Sequence, residues 1–318
     1  MKLVVMIPAF NEGNTISDVI REIPRKMQGV DSVRVLVIDD GSDDGTVEAA
    51  RKAGADRIIT HTKNRGLAVS FKDGFDEALQ MGADIIVNTD ADFQYNQKEI
   101  PRIIGPILEG KADVVLTDRN VWKLLHMPFS KKAGNTISTI VTSFLAGFNV
   151  RDAQSGFRAF SREAALRINV LSQYTYVQET IIQAANKKLK IVQVPCEFRK
   201  RGGKSRLISS LFSYAKSAGV TIITTYTHYR PLKVFGLIGG LIFISGLVVG
   251  LRVIVHFIIT GTVSPFIPSA ILSGFLLVIG FQVILLGLIG DAIRANRTIQ
   301  EELLYRKKKE DCGKGQGT

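Results

Sequence analysis

Two aspartates separated by one residue stand in the stretch Asp90-Ala91-Asp92-Phe93-Gln94. They follow residues 84–88, an apolar run that is typical of a buried strand. Carboxylates at positions i and i+2 after such a strand project to one side, and the amide oxygen of Gln94 follows the same alternation. Hard oxygen ligands of this kind suit Mg²⁺ or Mn²⁺. The spacing therefore favours a divalent-metal site at Asp90, Asp92 and Gln94. A solvated, aspartate-rich turn without a metal is the alternative that has the same sequence pattern.

Two further acidic loops follow apolar segments nearer the N-terminus. In Val37–Thr46 (VIDDGSDDGT), Asp39 or Asp40 can accept hydrogen bonds from a nucleobase or a ribose. In Ile7–Glu12 (IPAFNE), the carboxylate of Glu12 has the same capacity. The glycine-rich patterns that cradle phosphates through the backbone are absent from the sequence. A metal ion and basic side chains must then neutralise the diphosphate of a nucleotide bound there.

These loops need a scaffold that brings them together, and the periodicity of the sequence predicts one. Short runs rich in Val, Ile and Leu alternate with segments whose apolar residues have helical spacing. Such alternation predicts an α/β fold with a doubly wound, mostly parallel sheet, which binds ligands at the carboxyl ends of its strands. The expected strands are residues 2–8, 33–38, 56–60, 84–88, 112–117 and 190–198, and the expected helices are 14–28, 44–54, 66–81, 97–110, 131–147 and 176–188.

The C-terminal part of the sequence has a different composition. Residues 234–259 and 267–290 are each apolar enough to cross a bilayer, which takes about 20 residues. The turn between them lacks Lys and Arg, whereas both outer flanks are basic, so the positive-inside rule places those flanks in the cytoplasm. Glycines in the spans could support a homo-oligomer or packing within one chain. The expected regions are a soluble domain at 1–206, interfacial amphipathic helices at 207–231, a two-helix anchor at 232–292 and a basic tail at 293–318.

The formal charge of +12 is concentrated around the apolar region, which suits an anionic membrane surface or phosphate-bearing substrates better than nucleic acid. The 2 cysteines have neither zinc-site nor disulfide-framework spacing. Trp122, the single tryptophan, stands in an apolar and partly basic segment after Arg119. It either enters the membrane interface or packs on the domain, and the preference of Trp for interfaces favours the first.

Five segments of the sequence resemble the motifs of a known family. Ile7–Glu12, Val37–Thr46 and Asp90–Gln94 are similar to the N-terminal motifs of inverting family-two glycosyltransferases, whose fold is the nucleotide-sugar-binding GT-A type. Asp152–Arg162 (DAQSGFRAFSR) and the basic loop 202–205 resemble the dolichyl-phosphate mannose synthase and polyprenyl-phosphate glucosyltransferase subgroup. Five motifs in the same order are far more specific than any one of them.

The resemblance implies roles for individual residues. For nucleotide binding it points to Pro8, Glu12, Asp39, Asp40 and Asp90, and for the metal to Asp90, Asp92 and Gln94. For the donor diphosphate it points to Lys200, Arg201, Lys204 and Ser205, and for the acceptor phosphate to Arg119, Lys131, Lys132 and Asn135. The catalytic candidates are Asp92, Arg119, Asp152 and Glu179, the last two as orienting groups. Lys131 and Asn135 stand where the family tends to have Arg and Ser, and a lysine meets phosphate without bidentate geometry.

The sequence thus favours inverting transfer of one sugar to dolichyl or another polyprenyl phosphate at the cytoplasmic face, with Mg²⁺ or Mn²⁺ as cofactor. A phosphate acceptor is already anionic, which agrees with the lack of a histidine placed as a general base. The donor is either a UDP-hexose or UDP-HexNAc, or GDP-mannose. One alternative is a processive polysaccharide synthase, for which two spans form a poor channel. Another is a nucleotide-binding membrane adaptor without catalysis.

Overall fold

Runs of Val, Ile and Leu form the strands of one sheet in the computed structural model, which describes residues 1–125, 127–171, 176–200 and 231–314. In those residues the strands are β1 Lys2–Ala9, β2 Ser32–Asp39, β3 Arg57–Thr60, β4 Ile85–Asn88, β5 Val114–Asp118, β6 Arg158–Ser161 and β7 Ile191–Pro195. Their order is β3-β2-β1-β4-β6-β5-β7. β6 is antiparallel to β4 and to β5, and the other pairs are parallel. The predicted mostly parallel sheet is confirmed.

Helices cover both faces of this sheet. They are α1 Ile16–Glu22, α2 Thr46–Lys52, α3 Leu67–Gln80, α4 Ile100–Leu108, α5 Phe129–Ala146, α6 Arg162–Arg167 and α7 Val177–Asn186. α1 is shorter than the predicted helix 14–28, because Ile23 has φ −66° and ψ 120°. The residue before a proline avoids the helical region, and Pro24 therefore ends the helix.

The alternation of side chains along β1 divides the core between the two faces of the sheet. Leu3, Val5 and Ile7 pack into one cluster with α1 and α4. Val4 and Met6 pack into a second cluster with α3 and α7. A strand that is buried on both faces has no polar alternation, and this explains the continuous apolar runs of the sequence.

Residues 231–303 form a second compact unit. It contains α8, Pro231–Thr260, and most of α9, Ile267–Lys314, and both helices are long and apolar enough to span a membrane. The two helices pack through small residues, since a Cβ on Gly239 would lie 2.8 Å from the carbonyl oxygen of Gly280. The Ser273 hydroxyl also donates to the carbonyl of Gly246 at 2.8 Å. These glycines therefore serve packing within the chain.

The C-terminal end of α9 lies in the region of the predicted basic tail. Residues 293–314 continue the helix, and the part from Leu304 groups with the first compact unit. The Tyr305 hydroxyl donates to the Glu163 carboxylate at 3.1 Å, and Lys308 pairs with Asp76 at 2.8 Å. The described part of the predicted basic tail is therefore helical, and the predicted bounds of that region, 293–318, stay a prediction. The predicted interfacial helices lie outside the described residues.

Candidate active site

The loops after β1 and β2 are tied to each other at the carboxyl edge of the sheet. The backbone N–H of Asn11 donates to the Ser42 hydroxyl at 2.9 Å, and the Asn11 side chain accepts from the N–H of Asp43 at 3.0 Å. The N–H of Glu12 donates to the Thr46 hydroxyl at 3.0 Å. Asn11 has φ 55°, in the left-handed region that asparagine tolerates better than most residues. Two acidic loops that are distant in sequence thus form one surface.

Asp39 has a buried carboxylate at this edge. Its Oδ2 accepts from the backbone N–H of Ser42 at 3.3 Å, and its Oδ1 is buried with no hydrogen-bond partner among the described residues. A buried acceptor without a donor costs about 1–3 kcal/mol. An N–H of a nucleobase would satisfy it. Pro8 is buried beside this position and pairs with Ile38 across β1 and β2.

Asp40 has a different environment from Asp39. Its carboxylate lies 2.7 Å from His61 Nδ1 and accepts from the backbone N–H groups of Arg65 and Gly66 at 2.9 and 2.8 Å. These contacts occupy both oxygens and hold the segment from His61 to Gly66 against the β2 loop. They support a positioning role for Asp40, and its predicted contact with the nucleotide stays a prediction.

Asp90 and Asp92 follow β4 and adjoin the first acidic loop. The Thr15 hydroxyl donates to the carbonyl oxygen of Ala91 at 2.8 Å, and Asp92 Oδ1 accepts from the N–H of Gln94 at 3.2 Å. Across residues 1–125, 127–171, 176–200 and 231–314, no three His, Cys, Asp or Glu side chains could hold a metal ion together. The two aspartates fit a cation that takes its other oxygen ligands from phosphates and water, which is the usual manner for Mg²⁺.

A two-residue clamp joins this motif to the segment after β7. The N–H of Arg199 donates to the carbonyl of Gln94 at 2.7 Å, and the Gln94 side-chain amide donates to the carbonyl of Arg199 at 3.2 Å. The Arg199 guanidinium lies 4.9 Å from the ring centroid of Phe93 and pairs with both carboxylate oxygens of Glu22, at 2.9 and 3.0 Å. The hydrogen bonds that the Arg199 guanidinium donates to Glu22 raise the pKa of Arg199. Arg199 is therefore held beside the predicted metal motif.

Only the first of the four predicted donor-diphosphate residues lies in the described part of the chain. Lys200 is exposed and directly follows the clamp. Arg201, Lys204 and Ser205 lie outside the described residues. Arg199, a neighbouring cation, is engaged by Glu22, and its charge is therefore already paired.

Arg119, Asn135 and Asp152 form a buried cluster beyond the end of β5. Arg119 donates to Asp152 through Nε at 2.6 Å and Nη2 at 2.9 Å, and Nη2 also donates to Asn135 Oδ1 at 3.0 Å. Burial opposes the charge of Arg119, but the charge of Asp152 and its hydrogen bonds with the guanidinium raise the pKa of Arg119. Burial also opposes the charge of Asp152, but Arg119 and the N–H of Gln154 lower its pKa. The structure thus brings together three residues that the sequence predicted separately.

The other acceptor and catalytic candidates are more dispersed. Lys131 and Lys132 lie in the first turn of α5, where Lys131 is exposed and Lys132 Nζ donates to the carbonyl of Trp122 at 3.2 Å. Glu179 is buried in α7, and its carboxylate accepts from the N–H of Leu171 at 3.1 Å and from Gln183 at 3.0 Å. These contacts give Glu179 a structural role, and its predicted orienting role stays a prediction.

The comparison with protein families agrees with this arrangement. The family model described as Glycosyl transferase family 2 matches residues 4–168, which is more than half of the chain. The chain belongs to glycosyl transferase family 2. The matched range contains the three acidic loops, the buried cluster and β6. The predicted resemblance to family-two glycosyltransferases is confirmed.

Relatives of this family 2 glycosyltransferase include archaeal proteins with curated names. It is 34% identical to the dolichyl-phosphate hexose transferase of Haloferax volcanii, over 64% of this chain and 86% of the relative. It is 31% identical to the UDP-N-acetylglucosamine--dolichyl-phosphate N-acetylglucosaminyltransferase of Methanococcus voltae, over 60% of this chain and 83% of the relative. Among solved structures, glucosyl-3-phosphoglycerate synthase of Mycobacterium tuberculosis, in complex with Mn²⁺, UDP and glucosyl-3-phosphoglycerate, has a TM-score of 0.52 at 22% identity. That match covers 71% of this chain and 78% of the other, and it shows the shared fold.

A polar network behind Asp90 was missed by the sequence analysis of this glycosyltransferase. The Asn88 side chain donates to the carbonyl of Gly156 and to the Tyr176 hydroxyl, both at 2.8 Å. The N–H of Gly156 donates to the Tyr95 hydroxyl at 3.0 Å. Burial raises the pKa of both tyrosines, which stay neutral donors and acceptors. The sequence signal for this network was Asn88, a polar residue at the end of the otherwise apolar strand β4.

Arg158 is a second residue that sequence reasoning missed in this glycosyltransferase. It is 0% exposed and donates to the carbonyls of Ser155 at 2.8 Å and Ala153 at 3.1 Å, and to the Thr180 hydroxyl at 2.7 Å. Burial lowers the pKa of Arg158 to about 10. Its guanidinium fixes the loop that carries Gly156, and the sequence signal was an arginine between Phe157 and Ala159 at the start of β6.

Gly156 provides the first test of this site. A Cβ at that position would lie 2.9 Å from Asp90 Oδ1 and 3.0 Å from the Tyr176 hydroxyl. Gly156→Ala should therefore displace Asp90 and lower the transfer rate about 10²-fold, as misplacement by roughly 1 Å does elsewhere. Initial rates measured across a Mn²⁺ titration would check this. Gly105→Ala is the matched control, since a Cβ there meets nothing within 4 Å, and equal rates for the two variants would contradict the packing argument.

Proposed function

We propose that this chain transfers one sugar from a nucleotide-diphosphate donor to the phosphate of dolichol or another polyprenol. The observation that carries the proposal is the placement of three sites at one edge of the sheet. They are the unsatisfied Asp39 oxygen, the Asp90 and Asp92 pair and the buried cluster of Arg119, Asn135 and Asp152. The names of the Haloferax volcanii and Methanococcus voltae relatives support a dolichyl-phosphate acceptor. The two helices of membrane-spanning length agree with a lipid substrate.

Each site has a role in the proposed reaction. Asp39 accepts a hydrogen bond from the nucleobase, and Glu12, in the adjoining loop after β1, binds the ribose or the base. Asp90 and Asp92 would hold Mg²⁺ or Mn²⁺ with the donor diphosphate. When bound, the cation neutralises charge on the leaving diphosphate. The structural relative solved with Mn²⁺ and UDP supports this assignment.

Arg119 orients the acceptor, with Lys131 and Lys132 adding positive charge. An acceptor phosphate oxygen bonds to C1 of the sugar while the bond from C1 to the diphosphate oxygen breaks, and the nucleoside diphosphate leaves with the bonding electrons. This single displacement inverts the configuration at C1. The attacking oxygen carries no proton at neutral pH, so the step needs no strong general base. Asp152 holds Arg119 in place.

Two finer features also belong to the proposal. The basic flanks of the apolar helices support a cytoplasmic active site by the positive-inside rule. The donor base is the second feature, and Asp39 alone does not choose it, because uracil and guanine both present N–H donors. Residues 152–157 resemble the glucosyl branch of the family more than the mannosyl branch, and this resemblance supports a UDP-sugar, with GDP-mannose as the second candidate.

A donor panel tests the proposal. Purified full-length protein would receive labelled UDP- and GDP-sugars with dolichyl phosphate and Mg²⁺ or Mn²⁺, followed by lipid extraction. We expect label in the lipid fraction from one donor class, one sugar per lipid, and none when dolichol replaces dolichyl phosphate. Label in a polymer would instead indicate a processive synthase. Metal-dependent nucleotide binding without labelled product would indicate an adaptor.

A further inference from the structure

The polarity of α5 is the reverse of that of an ordinary surface helix. Its protein-facing side carries the buried hydroxyl residues Ser138, Thr139 and Thr142. Its outer side exposes Ile137 at 63% and Ile140 at 62%. Surface helices normally bury their apolar stripe and expose their polar face. α5 therefore presents to its surroundings the face that a water-facing helix would hide.

The buried hydroxyl groups of α5 form hydrogen bonds with defined partners, and these bonds determine which side of the helix faces the protein. The N–H of Ala153 donates to the Thr139 hydroxyl at 3.1 Å. The Gln154 side-chain amide donates to the Ser138 hydroxyl, and the Thr142 hydroxyl donates to the carbonyl of Ser138 at 2.8 Å. The inner face thus supports the loop that carries Asp152. Its hydrogen bonds leave the isoleucines on the outside.

Apolar side chains are also exposed at the start of α5 and in the segment before it. Trp122 is 58% exposed and its ring meets that of the exposed Phe129 edge to face, with centroids 6.1 Å apart. Leu125, which lies between Trp122 and Phe129 in the sequence, is fully exposed. We call this surface the α5 apolar face, and its members are Trp122, Leu125, Phe129, Ile137 and Ile140. Lys123 and Lys131 are exposed beside it.

We infer that the α5 apolar face enters the headgroup layer of an anionic membrane. Contiguous exposed apolar surface marks a contact with a protein or a lipid. Tryptophan at the edge of such a surface is typical of the membrane interface, and lysines near it pair with anionic headgroups. The chain also contains two helices of membrane-spanning length.

The lysines beside the α5 apolar face favour an anionic membrane over two other partners, the chain's own residues 201–230 and a second copy of the chain. The chain's own residues 201–230 include Arg201, Lys204, Arg206, Lys216 and Arg230 but no Asp or Glu, and would bring like charge to the lysines. A second copy packed face to face would set lysine against lysine, and like charges that meet at an interface are costly. Anionic lipid phosphates complement the lysines and accept the apolar side chains below the headgroups.

Docking of the α5 apolar face would help the lipid acceptor to reach the active site, a consequence that rests on the proposed function. Asn135 lies on the same helix and bonds Arg119 at 3.0 Å. A helix seated at the headgroup level would hold the Arg119 cluster near the level of lipid phosphates. The acceptor phosphate could then reach the cluster while its polyprenyl chain stays in the bilayer.

Tryptophan fluorescence of the full-length protein in nanodiscs tests the docking without an activity assay. Trp122 is the single tryptophan of the chain, so the emission reports on this face directly. In anionic lipid with bromine on the upper acyl carbons, the emission should fall about twofold, since an interfacial indole lies within reach of those carbons. Acrylamide in the water should quench it less than it quenches free tryptophan. Replacing the anionic lipid by a zwitterionic one should weaken the bromine effect.

Two variants in which the single tryptophan is moved to another position serve as controls for the fluorescence of Trp122. Trp122→Phe with Ile140→Trp places the probe on α5 and should also be quenched by brominated lipid. Trp122→Phe with Lys52→Trp places it at the exposed end of α2 and should respond to acrylamide alone. Quenching of Trp122 by acrylamide without a bromine effect would overturn the inference. Protection from both quenchers would also overturn it, because the face would then be covered by protein.

A transfer assay separates this inference from the proposed function. Ile137→Ser combined with Ile140→Ser should raise the KM for the lipid acceptor severalfold and leave the KM for the donor unchanged. Exposed positions tolerate such changes with little loss of stability. Absence of any transfer by the unaltered protein would refute the proposed function and leave the fluorescence result intact. An unchanged acceptor KM in an active enzyme would count against docking alone.

Discussion

Asp92→Ala should lower sugar transfer about 10³-fold or more, comparable to the loss of a principal electrostatic group in other active sites. The substitution removes one of the two carboxylates proposed to hold the cation, so the charge on the leaving diphosphate would lose its neutralisation. Asp92 is half-buried in a loop, outside both core clusters, and we expect the protein to fold and insert normally. Transfer rates in a lipid-supplemented assay, with circular dichroism for folding, would measure both effects.

The matched control is Asp43→Ala, which removes an exposed carboxylate from the neighbouring acidic loop. It should keep near-normal transfer, because the described contact of Asp43 to the first loop uses its backbone N–H. Mn²⁺ binding followed by electron paramagnetic resonance should weaken in the Asp92 variant and persist in the control. Near-normal turnover of the Asp92 variant would remove the metal assignment.

Asp152→Asn should be the most destabilising of the substitutions considered. It leaves the Arg119 guanidinium buried beside a neutral amide, and breaking a buried ion pair from one side costs about 3–5 kcal/mol. Transfer should also fall strongly, since an asparagine keeps only one acceptor oxygen and Arg119 would lose one of the two side-chain hydrogen bonds that orient it. Thermal unfolding and transfer rates would be compared in the same detergent or lipid.

The double variant Arg119→Gln with Asp152→Asn separates structure from catalysis. Replacing both members of a buried ion pair is often close to neutral, so the double variant should recover much of the lost stability. It should not recover transfer, because the cation proposed to meet the acceptor phosphate is gone. Recovery of both properties would make the pair purely structural.

The same pair has a defined pH dependence. Arg119 lowers the pKa of Asp152 below its ordinary value of 3.8. A depressed carboxylate pKa contributes stability that is present above the ordinary value and is lost as the pH falls through the folded-state pKa. Unfolding midpoints of the unaltered protein should therefore include an acid-labile contribution below about pH 4 that Asp152→Asn lacks.

The positions of the three acidic loops followed from the sequence. Strand periodicity identified β1, β2 and β4, and the carboxyl ends of parallel neighbours must share one edge. Asp39, Asp90 and Asp92 were therefore assigned to one site without any knowledge of their contacts. The family motifs added Arg119, Asn135 and Asp152, which the fold then placed in one cluster.

Which partner each polar side chain binds depends on contacts between segments that are distant in the sequence. Asp39 and Asp40 are neighbours with the same side chain, yet Asp40 meets donors from the segment at residues 61–66 and Asp39 Oδ1 meets none among the described residues. Arg199 stands beside the predicted diphosphate-binding residues, and Glu22, 177 residues away, pairs with its guanidinium. Periodicity reports how an element is buried, but it carries no information about which hydrogen-bond donor approaches from elsewhere.

The same distinction applies to the whole chain. The sequence by itself determined the α/β fold class, the acidic edge of the sheet and the two apolar helices, because each depends on local spacing and composition. Only the tertiary structure decided that β6 runs antiparallel between β4 and β5, that Gly156 lies against Asp90 and that α5 turns its apolar side outward. Those features depend on the packing of surfaces from separate segments, which no local pattern encodes.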